Sequence, residues 1–308
     1  MSGSKDSISR RTFFTLGGGV IGSLAAAGCG KKGAPGQTAE EAVSVPEPKA
    51  TAAGFPEDIP YAGFRMGIQS YCFREFKAPD DLINSLHTMG LAHVELWPDG
   101  HLPVDTPLEE LRVAVARYKA EGITIDACGV IEMKNDEAKL RKIFEYAREL
   151  GVLGISAGPE PDAIPLLDKL TAEYGIPIAI HNHGPSDVYW GTSELIRKNL
   201  AGTSTMIGLC VDTGHFQRVG EDPLAALDEF PDRIHGIHIK DMVPGQGGEY
   251  EDRIVGRGAL DLAALVGKLK DMGFKGYFSL EYESDPSNPI PAMKECLEEI
   301  KKACKTLS

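Results

Sequence analysis

Along the chain from Met66, short apolar runs alternate with stretches in which apolar residues recur every three or four positions. The short runs are Met66–Tyr71, Ala92–Trp97, Ile123–Val130, Leu153–Ala157, Pro177–His183, Ile207–Asp212, Ile234–Lys240 and Tyr277–Glu283. Each is apolar on one parity and bounded by Gly, Pro or Asp, which predicts strands. The stretches between them predict helices. Leu140, Ile143, Phe144, Ala147 and Leu150 share one face, closed by Gly151. Leu262, Leu265, Val266, Leu269 and Met272 repeat the device before Gly273, and Ile290, Met293, Leu297, Ile300 and Cys304 repeat it again. Thr106-Pro107-Leu108-Glu109 reads as an N-cap, a first-turn proline and a capping-box glutamate. Strand–helix alternation makes the strands parallel and the crossovers right-handed. Eight such units predict an α/β fold, a closed (β/α)8 TIM barrel forming a single domain over residues 61–308. No G-x-G-x-x-G follows an early strand, so a doubly wound sheet lacks its signature.

The first sixty residues do not share this pattern. Ser9-Arg10-Arg11-Thr12-Phe13-Phe14 precedes a small and apolar stretch, Leu16 to Ala27, and then Gly28-Cys29. This order resembles a twin-arginine export signal followed by a lipoprotein box, with Ala26 where a larger aliphatic is commoner. Residues 1–29 are therefore expected to be a leader, with Cys29 a lipidated membrane anchor and the protein periplasmic or membrane-anchored. Residues 30–60, rich in Gly, Ala, Pro and Glu, are expected to be a flexible linker. The remaining cysteines, Cys72, Cys128, Cys210, Cys296 and Cys304, are odd in number and read as buried thiols.

Composition narrows the function. The chain has 308 residues, is 42% apolar and 25% charged, and carries a net charge of −13. Such acidity opposes phosphate backbones, so no nucleic-acid partner is expected. No apolar run reaches the ~18 residues of a spanning helix.

In this fold, functional groups stand at the C-terminal strand ends. Parity turns Ile178, Ile180, Leu209, Val211, Ile237, Ile239, Phe278 and Leu280 outward. It turns Ala179/His181, Cys210/Asp212, Gly236/His238 and Ser279/Glu281 inward, each a small residue below a potential ligand. Two imidazoles and two carboxylates on one axis would strand charge in a dry space unless a cation compensated it. His181, Asp212, His238 and Glu281 are thus expected to hold one divalent ion: Mn2+, Zn2+, Co2+ or Fe2+. Glu95 and Trp97 on the second strand, and Gln69 and Tyr71 on the first, are candidate substrate contacts. So are His183, His215, Lys240 and Arg257.

Ile180-His181-Asn182-His183-Gly184, Val211-Asp212-Thr213-Gly214-His215, Ile237-His238-Ile239-Lys240-Asp241 and Leu280-Glu281-Tyr282-Glu283 resemble the strand ends of the xylose isomerase-like sugar phosphate isomerase/epimerase superfamily. The likeness covers about residues 64–304. It implies one divalent ion held by Glu, Asp, His and Glu, of which Asp212, His238 and Glu281 match the last three. Many relatives carry Glu where this chain has His181, which departs from a symmetrical two-carboxylate epimerase. Glu160, at inward parity on the fourth strand end, is a candidate ligand or base; Glu281 and His183 are the other candidates for proton transfer. The expected function is a metal-dependent isomerase or epimerase acting on a non-phosphorylated carbohydrate through an enediolate. A dehydratase using β-elimination shares that intermediate, and a non-catalytic carbohydrate-binding lipoprotein is a further reading. An apurinic endonuclease of the related trinuclear type would need Asp-x-His where this chain has Asp252-Arg253-Ile254.

Overall fold

Aliphatic residues on one parity of each strand need a greasy partner, and in a computed structural model describing residues 61–307 they find it in a ring of helices. In chain order the elements are β1 (Arg65–Gln69), α1 (Pro79–Met89), β2 (His93–Leu96), α2 (Leu108–Ala120), β3 (Thr124–Met133), α3 (Glu137–Leu150), β4 (Gly154–Pro159) and α4 (Ile164–Tyr174). Then come β5 (Ile178–His181), α5 (Ser193–Leu200), β6 (Ile207–Asp212), α6 (Thr213–Arg218), α7 (Pro223–Glu229) and β7 (Ile234–Ile239). The chain continues through β8 (Asp241–Pro244), β9 (Tyr250–Arg253), α8 (Leu262–Asp271), β10 (Tyr277–Leu280) and α9 (Ile290–Lys305). Eight strands close in the order β1-β10-β7-β6-β5-β4-β3-β2, and every pair is parallel. This is the (β/α)8 barrel that the alternation predicts. Residues 1–60, on which the expected leader, Cys29 and linker fall, lie outside the described residues.

Ile178, Ile180, Leu209, Val211, Ile237, Ile239, Phe278 and Leu280 are all buried in the continuous core between strands and helices. Inside the barrel, Ala127, Ala179, Cys210 and Tyr277 form a separate small cluster. The small inward residues make room for one large one. A Cβ on Gly236 would lie 2.1 Å from the Tyr277 ring, and the Tyr277 hydroxyl meets Ser156 Oγ at 2.5 Å. The phenol thus fills the barrel interior left by these small residues.

Two features differ from the sequence expectation. Helix α2 starts after Pro107, with no side chain capping it, so Thr106 does not act as its N-cap. An antiparallel hairpin, β8–β9, is inserted between β7 and α8, where the polar sequence around Gly245–Gly248 carries no alternation to announce it. The five cysteines are free and buried, as expected. Among the described residues, no helix is long and apolar enough to cross a membrane.

Candidate metal centre

Each segment at the mouth is built by local hydrogen bonding. Asp212 ends β6 and caps α6, its Oδ1 accepting the His215 N–H at 2.7 Å. This leaves Oδ2 to face the barrel axis. Thr213 Oγ1 donates to the Lys240 carbonyl and accepts the Lys240 N–H, fixing β6 against β7 past the end of the ladder. Gly214 clears space for the Lys240 stem, since a Cβ there would stand 2.6 Å from Lys240 Cγ. Asn182 does for β5 what Thr213 does for β7: its amide accepts from Asp212 N at 2.9 Å and donates to Asp212 O at 3.1 Å.

His181, Asp212, His238 and Glu281 converge, each offering one ligand atom, with all four atoms within 4.8 Å of one another. All four residues are buried. His238 Nδ1 lies 3.1 Å from Glu281 Oε2, and His181 Nε2 lies 3.4 Å from Asp212 Oδ2 and 4.0 Å from Glu281 Oε2. Donors about 2.1 Å from a common centre would stand roughly 3.0–3.4 Å apart in octahedral or tetrahedral arrangement. The spacing here is close to that. Glu281 Oε2 and His238 Nδ1 are also buried with no hydrogen-bond partner despite their proximity. Buried polar atoms left without a hydrogen bond cost stability unless something satisfies them. The donor set fits a divalent cation of borderline softness.

Charge around the cluster is compensated by Lys240, whose ammonium lies 3.5 Å from Glu281 Oε2 and 3.9 Å from Asp212 Oδ2 and pairs with Glu283. Burial alone would drive the Glu281 carboxyl up, yet Lys240 and His238 hold it down at about 2. Burial acts on Asp212 in the same way, and Lys240 with His181 keeps it well below the usual carboxylate range. Burial would strip Lys240 of its proton, but Glu281, Asp212 and Glu283 raise its proton affinity well above the ordinary lysine value.

The structure redistributes the residues singled out from the sequence. Glu95 is not a substrate contact. It is fully buried, and its Oε2 accepts from His238 Nε2 at 2.8 Å and Ser279 Oγ at 2.9 Å. That carboxylate–imidazole pair places the proton on Nε2 and leaves the Nδ1 lone pair for the cluster. Arg257 is not at the mouth either. Its guanidinium is exposed and reaches Glu295 at 2.6 Å and Glu299 at 2.8 Å on α9, where acidic side chains draw it away from the barrel.

The other candidates line a cleft beside the cluster. A cavity of about 540 Å3 is bordered by Tyr71, Trp97, Glu160, His183 and His215 along with His181 and Glu281. Trp97 packs edge-on to Tyr71, with ring centroids 5.0 Å apart, and rests on the bare Cα of Gly100. Gln69 also lines this cavity and donates to the Gly129 carbonyl. Glu160 lines it while pairing with Lys134 at 3.1 Å. His183 and His215 face each other at 4.5 Å. Arg218 donates to His215 Nδ1 at 2.9 Å, so a neutral His215 carries its proton on Nε2. Burial, then Lys240 and His181, keep His215 neutral. The protein packed around His183, then His181, likewise lowers its proton affinity.

Three contributors escaped sequence reasoning. Arg218 lies one turn after His215, a spacing that could have flagged it. Trp190 is buried on the cavity wall and donates to the Pro159 carbonyl at 2.7 Å, 31 residues away in the chain. Glu132 lines the same wall, and burial with Asp187 raises its carboxyl above the ordinary value.

Comparison with known proteins agrees with this architecture. Inosose dehydratase from Lacticaseibacillus casei is 29% identical over 133 residues, 39% of this chain and 44% of that enzyme, so the chain spans less than half of that curated relative. The IolI protein, solved with a bound zinc atom, superimposes with a TM-score of 0.63 at 19% identity, covering 78% of this chain and 98% of that one. The 3-keto-D-glucoside 4-epimerase YcjR from E. coli gives 0.61 at 17% identity, over 78% and 99%. At such identities the two structures speak for the fold alone. The model of the xylose isomerase-like TIM barrel family matches residues 83–303, most of the barrel and all four converging side chains, and this chain belongs to that family.

Proposed function

We propose that this chain is a divalent-metal-dependent enzyme that moves a proton at the carbon beside a carbonyl in a neutral, non-phosphorylated sugar or polyol ketone. One observation carries the reading. Two buried ligand atoms without a hydrogen-bond partner, Glu281 Oε2 and His238 Nδ1, stand with His181 and Asp212 at ligand spacing against an open cavity. His181, Asp212, His238 and Glu281 would hold the ion; Mn2+, Zn2+, Co2+ and Fe2+ all suit two nitrogens and two oxygens. A bound ion supplies a Lewis-acid contact for a carbonyl oxygen and its neighbouring hydroxyl, which acidifies the intervening C–H.

The chain's own residues do the rest. Neutral His183, opening on the cavity, accepts or returns a proton, and Glu281 and Glu160, two of the carboxylates lining the same cavity, are the other groups for proton transfer. His215 offers its Nε2–H to a substrate oxygen, held in that tautomer by Arg218. Trp97 and Tyr71 present apolar ring surface to the C–H face of a sugar. Lys240 keeps Glu281 and Asp212 ionised. Glu132, Glu160, Asp187 and Glu283 on the cavity walls repel anions, which favours an uncharged substrate over a sugar phosphate or acid.

Isomerisation or epimerisation is the first form of this chemistry. Dehydration by β-elimination is the second, favoured by the inosose dehydratase likeness and by His181 where a two-carboxylate epimerase would carry Glu. We also propose that residues 1–29 are an export leader with Cys29 as lipid anchor and residues 30–60 a linker, which the Arg10-Arg11 pair and the following apolar stretch support. Metal-loaded protein incubated in D2O with keto-hexoses and inososes tests the main reading. Deuterium entering beside the carbonyl, with or without an enone absorbing in the ultraviolet, is expected. Neither signal across the panel overturns it.

A further inference from the structure

We propose that the cleft accepts its substrate as a glycoside, with a second neutral sugar unit seated in an outer lobe formed by the β8–β9 hairpin. The inference rests on the sugar reading above and extends it to the size of the ligand. A second cavity of about 830 Å3 adjoins the first. The two share Tyr71, His183, His215 and Glu283, so they meet beside the donor cluster and form one two-lobed cleft. Each lobe alone has the volume of a whole small-molecule site, roughly 300–1,000 Å3. A single monosaccharide ring at the cluster would leave the outer lobe to water.

The outer wall is built and braced. It consists of Tyr250 and Asp252 on the hairpin, with Ser284 after β10. The Asp241 carboxylate, at the hairpin's base, accepts the backbone N–H groups of Gly256, Gly258, Ala259 and Leu260 at 2.8–2.9 Å. Gln217 Oε1 accepts the Met242 N–H at 2.7 Å, tying the hairpin to α6. On the far side, Asp252 Oδ2 accepts the Glu283 N–H at 3.0 Å. The subsite is therefore preformed, which lowers the ordering cost of binding.

Its chemistry suits hydroxyls and not anions. Of the two cations on its lining, Lys240 is paired with Glu283, Glu281 and Asp212, while Arg218 donates to the neutral His215 and keeps its charge, against the carboxylates of Glu249, Glu251, Asp252 and Glu283. Glu249, Glu251 and Asp252 face the same lobe. A phosphate or carboxylate there would meet net negative charge, whereas sugar hydroxyls find acceptors and Tyr250 offers ring surface.

The test uses the full chain loaded with Zn2+ or Mn2+ and calorimetric titration with D-fructose, turanose, lactulose and isomaltulose. The last three carry a second sugar on O3, O4 and O6 of the same ketose. At least one is expected to bind about tenfold tighter than D-fructose. Tyr250→Ala should erase that advantage while changing the D-fructose affinity by less than about twofold, which also shows the variant is folded. Disaccharides that bind no tighter than D-fructose, or a variant that weakens both alike, overturn the outer subsite and leave the sugar reading standing. Failure of all four sugars to bind overturns the outer subsite, and overturns the sugar reading as well where the D2O panel is also silent.

Discussion

Replacing Glu95 by Gln isolates the contact that orients His238. Glu95 has no access to solvent worth the name (1% exposed), and its Oε2 takes hydrogen bonds from His238 Nε2 and Ser279 Oγ. Glutamine keeps the volume and one acceptor oxygen but removes the negative charge that makes the imidazole a stronger base. Partners of this kind are worth about 10–100-fold in metal affinity, or roughly 1.4–2.7 kcal/mol. Alanine goes further, leaving two buried donors without an acceptor at about 1–3 kcal/mol each. In a body of ~250 residues each kcal/mol moves the melting temperature by about 2–4 °C, so Glu95→Ala should melt roughly 10 °C lower. Glu95→Gln should stay within a few degrees of the parent. Metal affinity is read by competition with a chromophoric chelator, and melting by circular dichroism. A Glu95→Gln protein that binds metal within about threefold of the parent would refute the orienting role.

Asn182→Ala removes the amide that clamps Asp212 from both sides, so it should cost about 1–3 kcal/mol of stability and also loosen the ion; unchanged denaturant midpoint and metal affinity would contradict this. Arg257→Ala should leave metal binding and turnover as they are, because the guanidinium serves α9; a loss of turnover would return it to the site. Metal affinity should be pH-dependent in a stated direction. Burial pushes His238 down, but Cys210, Glu95 and Glu281 outweigh it and raise its proton affinity well above the ordinary value of 6.5. The proton's contribution to the metal-free protein is therefore full below pH 6.5 and lost as pH rises through the raised value. Because the ion needs Nδ1 unprotonated, affinity should keep climbing above pH 6.5, by up to about tenfold per pH unit, and a flat profile would contradict it.

Strand parity made most of the cluster legible. Once Ile178, Ile180, Leu209, Val211, Ile237 and Ile239 are turned toward the helices, His181, Asp212 and His238 have nowhere to point but the axis. What parity cannot give is the partner of a side chain on a distant strand. Glu95 and His238 are 143 residues apart, and only barrel closure through β1 and β10 brings them together. Inward parity was right for Glu95, but its depth below the mouth depended on register across strands. Tyr277 was missed for the same reason: its ring occupies space left by small residues on several other strands. Arg257 lies away from the mouth because Glu295 and Glu299, 38 and 42 residues further on in α9, hold its guanidinium, and strand parity cannot supply partners on a distant helix. The hairpin went unseen because its glycine-rich turn carries the composition of an ordinary loop.

On the proposed function, one divalent ion is held by His181, Asp212, His238 and Glu281. Elemental analysis of the purified full chain, beside Asp212→Ala prepared identically, tests it most directly. Close to one transition-metal ion per parent chain is expected, removable by chelator and restored on adding metal, and far less in the variant. A parent protein that carries no ion and takes none up, or a variant that retains the same metal content, would contradict it.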